Sequence, residues 1–458
     1  QLVSLALLEK KSGELQRSDA AALLQRQLES WIDGNPPFCG IHYISSMECA
    51  LRLIAVCHSL DLVRGKIIAP EQLWEKVLGM IYVHAELIHR RMSLYSSSGN
   101  HTIAECVGLV YAGILFPEFE KSKSWKKAGI RILGEEVDRQ ILPDGGGIER
   151  TVWYHLFVTD LCGLALALMK KYGEDGAANL EAGFSRATAY LNTMANNPDN
   201  LPAIGDSDNG YALSRYLRIS WLDKYKPDKL TIFDKTGISV IRNEASNEIL
   251  FFDHGPLGMA PGYGHGHADG LSVLLKCNDE TLLHDPGTYT YTGDKDWRRY
   301  FRSTMAHNTV CVDGEDQAKQ LATFMWKNGY NARLAYHNPG KEAVLLLAYH
   351  DGYFDTKGII HWRGIIGLNE GGWIIWDYLH GNSEHTIYLN WHARNPGKEN
   401  NNRYRLSGDH ELEIVNGSST LHAADNTSCI GWISDTYGIK CTGATISASY
   451  TGSLPYES

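Results

Sequence analysis

Lys224-Tyr225-Lys226-Pro227-Asp228-Lys229 is where the sequence changes character. Before it, apolar residues recur at helical spacing. Residues 15–33 (LQRSDAAALLQRQLESWID) carry such a stripe and stop at the breakers Gly34-Asn35-Pro36-Pro37. The same pattern predicts helices over about 44–60, 71–93, 101–117, 122–141, 150–172 and 177–196, with short breaks such as Leu142-Pro143-Asp144-Gly145-Gly146-Gly147. Helix after helix with short connections implies antiparallel hairpins, which close into a ring or stack. After Lys229 the segments are short, β-branched and bounded by turns. They are Gly237–Arg242, Glu248–Asp253, Leu271–Lys276, Thr309–Val312, Ala343–Tyr349, Gly372–Tyr378 and Thr386–Trp391. That pattern predicts an antiparallel β-sandwich. One boundary near 225 is therefore expected, with an all-α domain over 1–225 and an all-β domain over 226–458.

The 458 residues suffice to bury a sizeable core. With 43 Lys+Arg against 53 Asp+Glu the net charge is −10, which argues against nucleic acid or a membrane surface as partner. A locally basic groove for an anionic substrate stays open. The nine cysteines are scattered singly, as in a reduced core rather than a disulfide framework. No apolar run is expected to reach the length of a membrane span. The chain begins at Gln1 without a leader pattern, leaving both cytoplasmic and periplasmic or secreted locations open. The oligomeric state is also open.

Most of the reactive chemistry lies in the second half. Tyr263-Gly264-His265-Gly266-His267-Ala268-Asp269 is its densest cluster, followed by His284-Asp285-Pro286-Gly287, Trp297-Arg298-Arg299-Tyr300-Phe301-Arg302 and Met305-Ala306-His307-Asn308. In a strand, His265 and His267 would share a face. Asp285 lies 18 residues after His267, and His307 lies 22 after Asp285, spacings that suit neighbouring strands. Two His and one Asp form an N/O zinc set with one coordination position left over. The bland alternative is a group of turn histidines that cap backbone groups. His-x-His-x-Asp also suggests metallo-β-lactamase-like hydrolases, but Gly270 follows Asp269 where that motif continues with His, and their layered α/β fold is not indicated. In the first half, Asn100 stands where it could cap a helix, and Tyr154 could be an ordinary core tyrosine.

The stretches 265–275 (HGHADGLSVLL) and 282–317 (LLHDPGTYTYTGDKDWRRYFRSTMAHNTVCVDGEDQ) resemble the heparinase II/III-type polysaccharide lyases. Residues 142–155 (LPDGGGIERTVWYH) resemble the segment around that family's catalytic Tyr, 35–54 (NPPFCGIHYISSMECALRLI) its early-helix segment, and Asn100-His101 its Asn-His pair. The order of these motifs agrees with the family, although the N-terminal part is short for it. The resemblance implies an incomplete α/α toroid followed by an antiparallel β-sandwich. It implies β-elimination on a uronic-acid-containing polysaccharide, glycosaminoglycan- or alginate-like, leaving a C4–C5 unsaturated uronate. It further implies one structural Zn2+ per chain, held by His267, Asp285 and His307.

That reaction makes definite demands. The C5 proton is removable only if the adjacent carboxylate is neutralised or hydrogen-bonded as negative charge develops. Asn100 and His101, with His265, are expected there. A base must take the proton and an acid must protonate the leaving 4-oxygen. Tyr154 is expected as acid, and also as base where proton and leaving group share a face; His265 is the base for the opposite epimer. An unperturbed phenol titrates near ~10, so a tyrosine base would need positive neighbours. Glu149, Tyr291, Tyr300, Arg298 and Arg302 are expected to contact substrate, with the arginines equally able to brace the sandwich. Two other readings are a non-catalytic glycan-binding or polysaccharide-biosynthesis partner of the same fold and a zinc-dependent hydrolase.

Overall fold

A computed structural model describes residues 1–12, 19–95, 97–195, 200–216, 228–278 and 280–457. The expected boundary near 225 and most of the Lys224–Lys229 stretch lie outside the described residues. Two compact units form. The first comprises Gln1–Gln140, Leu156–Ser185 and Tyr211–Trp221; the second comprises Ile141–His155, Arg186–Gly210 and Leu222–Ser458. The division is thus not a single cut, since two short segments from the helical half of the chain belong to the second unit.

The first unit is helical. Its described helices include Ala20–Gly34, Ser46–Leu62, Pro70–Arg90, Asn100–Leu115 and Ser122–Gln140. Local chemistry sets their starts. Ser45 caps Ser46–Leu62, its side chain accepting from the Glu48 amide. Pro70 opens its helix, where a missing N–H costs nothing. The helix Asn100–Leu115 is almost wholly buried. Gly108 lets it approach the helix Ser46–Leu62, because a Cβ there would lie 2.7 Å from that of Ala50. Leu2–Ser12 is a further helix that the sequence reading did not include.

The second unit is built on antiparallel ladders. One five-stranded sheet runs in chain order through Leu230–Phe233, Ile238–Asn243, Glu248–Asp253, Val273–Cys277 and Glu280–Leu283. A second runs Tyr456–Glu457, Trp373–His380, Ile359–Leu368, Ala343–Tyr353, Ala332–Pro339. A third, four-stranded, runs Ser418–Ala423, Ala444–Ser453, Glu384–Ala393, Val310–Val312. One apolar core draws on all three: Leu250, Phe252 and Val273; Val344, Leu346 and Ile365; Val312, Ile387 and Ile446. Burying such side chains is the main favourable term, at about 1.5–3 kcal/mol each.

Two expectations are corrected. Val152–Tyr172 is long and apolar enough to cross a membrane, but most of it is buried. A core helix meets the same criteria as a membrane span. All nine cysteines are free, yet only five are buried, while Cys39 and Cys441 are exposed.

Candidate active site and metal centre

The loop between the strands Glu248–Asp253 and Val273–Cys277 carries the His-Gly-His-Ala-Asp motif. His265 and His267 are therefore not strand residues, and alternation does not align them. Tight backbone packing does. A Cβ on Gly266 would fall 1.7 Å from the Leu257 carbonyl oxygen, and the Trp326 indole donates to the Gly266 carbonyl at 2.9 Å. Both imidazoles meet one carboxylate. Asp206 Oδ2 is 3.0 Å from His265 Nδ1, and its Oδ1 is 3.1 Å from His267 Nε2. The Arg298 guanidinium closes on both oxygens, with Nη2 at 2.8 Å from Oδ2 and Nη1 on Oδ1. The Asp206 amide also donates to the His265 carbonyl at 3.0 Å.

Asp206 is fully buried. Burial alone would raise its pKa, but the Arg298 charge and the hydrogen bonds from His265, His267 and Arg298 hold it well below the usual carboxylate range. Sequence reasoning missed this residue. Its only signal is the turn-rich stretch Gly205-Asp206-Ser207-Asp208-Asn209-Gly210, which names no partner.

Tyr154 and His265 stack, with ring centroids 4.0 Å apart and an interplanar angle of 29°. The Tyr154 hydroxyl donates to that of Tyr291 at 3.1 Å. Burial, then the charges of Asp208 and Asp206, push the Tyr154 phenol well above its ordinary value. The positive neighbour that a tyrosine base needs is not among the causes of the shift. Burial lowers the His265 pKa, but the hydrogen bond to Asp206 and the charges of Glu149 and Asp206 outweigh it, for a net rise. With Nδ1 committed to Asp206, His265 Nε2 has no hydrogen-bond partner among the described residues.

Of the two candidate tyrosines, Tyr291 is the one that meets Tyr154. Tyr300 instead packs on Trp297 and Phe301. Arg298 is buried, its centre 5.1 Å from the Tyr291 ring. Arg302, also buried, donates to the carbonyls of Ala322 and Thr323 at 3.0 and 2.7 Å. These contacts correspond to the bracing use of the two arginines, whereas Arg299 is exposed. Tyr437 is a further residue not anticipated: its hydroxyl accepts from the Tyr291 amide at 3.0 Å, and its ring lies 4.9 Å from that of Tyr291.

His267, Asp285 and His307 come together, with one ligand atom of each within 4.8 Å of the others. All three are buried. His307 Nδ1 lies 2.8 Å from Asp285 Oδ2. His267 Nδ1 and His307 Nε2 are buried and meet no hydrogen-bond partner among the described residues. Such orphaned nitrogens call for an explanation, and a metal ion supplies one. The donor set of two imidazoles and a carboxylate fits zinc. Burial, chiefly, lowers the His267 pKa to about 4, so the ring is neutral as a ligand must be.

Asn100 and His101 belong to the helical unit. The helix Asn100–Leu115 is capped by Gly99 at φ +122°, so Asn100 is its first residue and not its cap. The start is held firmly: Gln140 Nε2 donates to the Gly99 carbonyl at 2.8 Å, and the buried Glu105 accepts from the amide and hydroxyl of Ser93, both at 2.7 Å. Asn100 is 2% exposed and His101 half-buried.

Residues 18–230 match the family profile described as heparinase II/III N-terminus, and 226–442 match that of the heparinase II/III-like C-terminal region. The chain belongs to the heparinase II/III-type family. It is 24% identical over 340 residues to the heparin-sulfate lyase of Bacteroides stercoris, covering 68% of this chain and 48% of that one. To the heparin-sulfate lyase of Pedobacter heparinus it is 24% identical over 334 residues, covering 66% and 47%. The chain thus spans about half the length of the curated relatives it matches. Among solved structures, a crystal structure of heparinase III superposes with a TM-score of 0.74 at 18% identity, over 98% of this chain and 76% of that one. Heparan sulfate lyase HepC from Pedobacter heparinus gives 0.66 at 17%, over 100% and 74%. These likenesses establish a shared fold: helices, then mainly antiparallel sheets.

Proposed function

We propose that the chain is a polysaccharide lyase that cleaves an anionic, uronic-acid-containing glycosaminoglycan by β-elimination. The observation that carries this reading is the Tyr154–His265 stack, with the Tyr154 hydroxyl bonded to Tyr291 and His265 anchored on Asp206. A phenol kept protonated by burial and nearby carboxylates suits the acid that delivers a proton to the leaving 4-oxygen. A His265 held through Nδ1 has Nε2 available to accept the C5 proton. The tyrosine-only route has less support, because it needs a tyrosinate that this surrounding disfavours. Asn100 and His101 are assigned to the substrate carboxylate, where an amide donor gains strength as charge moves onto that group. Glu149 and Tyr291 are assigned to substrate contact. Arg298 is a positioning residue acting through Asp206.

In the same reading, the helices form part of an incomplete α/α toroid and the sheets an antiparallel sandwich, as the family resemblance implies. One Zn2+ is assigned to His267, Asp285 and His307. When bound, the ion would supply structural anchoring rather than a proton or an electron pair. The test is ultraviolet absorbance near ~235 nm, which a new C4–C5 unsaturated uronate raises by cleavage. It is run on heparan sulfate, heparin, heparosan, hyaluronan, chondroitin and alginate. Absorbance growth on at least one, lost in Tyr154→Phe, is expected. A folded protein that binds these chains without raising absorbance would instead be a non-catalytic glycan-binding partner.

A further inference from the structure

The second sheet has two unlike faces. Its inner side joins the core through Val344, Leu346, Ile365 and Leu379. It also holds a buried polar chain, in which Arg363 pairs with both oxygens of Asp377 at 2.8 and 2.9 Å and His361 meets the same carboxylate at 2.7 Å. An antiparallel sheet with one face in the core normally turns polar side chains to water on the other. Here the outer face is apolar. Leu347, Tyr349, Trp362, Ile366, Trp376 and Tyr378 alternate with the buried residues of their strands. Tyr336 and Ile374, on the same side by register, are 52% and 51% exposed. Gly364 keeps the centre flat, since a Cβ there would press within 3.2 Å of the Trp376 ring. Contiguous apolar patches of this kind mark interaction surfaces.

Register supplies a second observation. Arg333, Tyr349, Trp362, Tyr378 and Glu457 form one row across the sheet, from one edge strand to the other. The row therefore carries a cation at one edge, an anion at the other and aromatic rings between. No ion pair of Arg333 or Glu457 occurs among the described residues; Glu457 accepts only from the Trp376 indole, at 2.7 Å. Four long strands about 4.8 Å apart and eight residues long present on the order of 500 Å2 in projection, before side-chain relief is added. Specific interfaces begin at roughly 600 Å2 of accessible surface per partner.

We infer that this face packs against the same face of a second copy of the chain, about a twofold axis running along the strand Ile359–Leu368. That operation reverses edge and edge while keeping the row level. It lays Trp362 over its own counterpart and Arg333 over Glu457 of the second copy, twice per dimer. The interface is isologous and self-complementary in shape and charge. A glycan fits it less well. The row's one cation is balanced by one anion, so no positive potential awaits an anionic polymer.

Sedimentation equilibrium of the full chain tests this. The wild type is expected to self-associate to twice its 51.1 kDa mass. Arg333→Glu and Glu457→Arg each set like charges over one another and should weaken association by about tenfold. The combined swap should restore it, a result that loss of folding cannot imitate. Trp362→Glu should give a monomer with unchanged circular dichroism; should it fail to fold, the charge swap still decides. A wild type that stays at 51.1 kDa up to about 100 µM would overturn the inference. So would a double swap no better than its parents, or a monomer whose Trp362 is quenched by heparosan oligosaccharides.

Discussion

Asp206→Asn removes one charge and almost no volume from the second unit, and its cost follows from four contacts. The carboxylate has no exposed surface and accepts from both terminal nitrogens of Arg298, from His265 and from His267. The Arg298 side chain is 3% exposed and loses its counter-charge in the variant. Breaking one side of a buried ion pair costs about 3–5 kcal/mol, because the surviving charge stays desolvated. Urea unfolding followed by tryptophan fluorescence measures this, since Trp326 and Trp391 are buried in the unit. A chain with two units need not unfold in one step, so the transition reported by these residues is the one to compare. The variant Asp206→Asn/Arg298→Met removes both charges. It should be less destabilised than the sum of its parents by about 2 kcal/mol, within the range of contacting pairs. A loss below about 1 kcal/mol in Asp206→Asn, or strict additivity in the double variant, would refute the claim that Asp206 holds this site together.

Tyr154→Phe should lower turnover by ~10² or more while leaving the melting temperature nearly unchanged; near-normal turnover would remove the phenol from the chemistry. Asn100→Ala should raise the barrier by about 2.7–4 kcal/mol, the effect of one lost oxyanion donor, and read out in kcat. A change confined to KM would make Asn100 a binding residue only. Asp285→Ala should lose both copurifying zinc, about one equivalent per chain in the wild type, and thermal stability. Metal analysis that finds no transition metal in the wild type would discard the zinc assignment. Stability should also fall in alkali. Burial raises the pKa values of Tyr154, Tyr291, Tyr330 and Tyr353 above the ordinary phenol value. The unfolded chain loses these protons near ~10, so their contribution is full below that pH and is lost as pH rises toward the folded-state values. Melting temperatures flat through pH ~11 would contradict this.

Much of the architecture was legible because periodicity is a local property. Glu248–Asp253 forms the strand expected of it, and the helices at 46–62, 100–115 and 122–140 fall within a few residues of their expected spans. The strand Ile359–Leu368 was missed because its alternation is inverted: His361 and Arg363 face inward while Trp362 and Ile366 face out. At the site, the loop carrying His-Gly-His-Ala-Asp brings His265 against Tyr154, and the metal-like trio does assemble. The reason given for pairing His265 with His267 did not hold. They converge because each binds one oxygen of Asp206, 59 and 61 residues away in sequence. A partner so distant leaves no local trace, and the same is true of Tyr437, 146 residues beyond Tyr291.

The inverted sheet also bears on how its strands find their alignment. When one face is oily and the other wet, a one-residue slip is punished at once, because it turns the oily set to water. The strands Ile359–Leu368 and Trp373–His380 carry apolar side chains on both faces, so a slipped pairing of these two would bury nearly as much hydrocarbon. What such a slip would forfeit is polar: Arg363 would no longer sit beside Asp377, to which it is paired directly across the ladder, and a desolvated cation would be left alone. The buried Arg363–Asp377 pair thus acts as an alignment key for strands whose hydrophobicity cannot tell one register from the next.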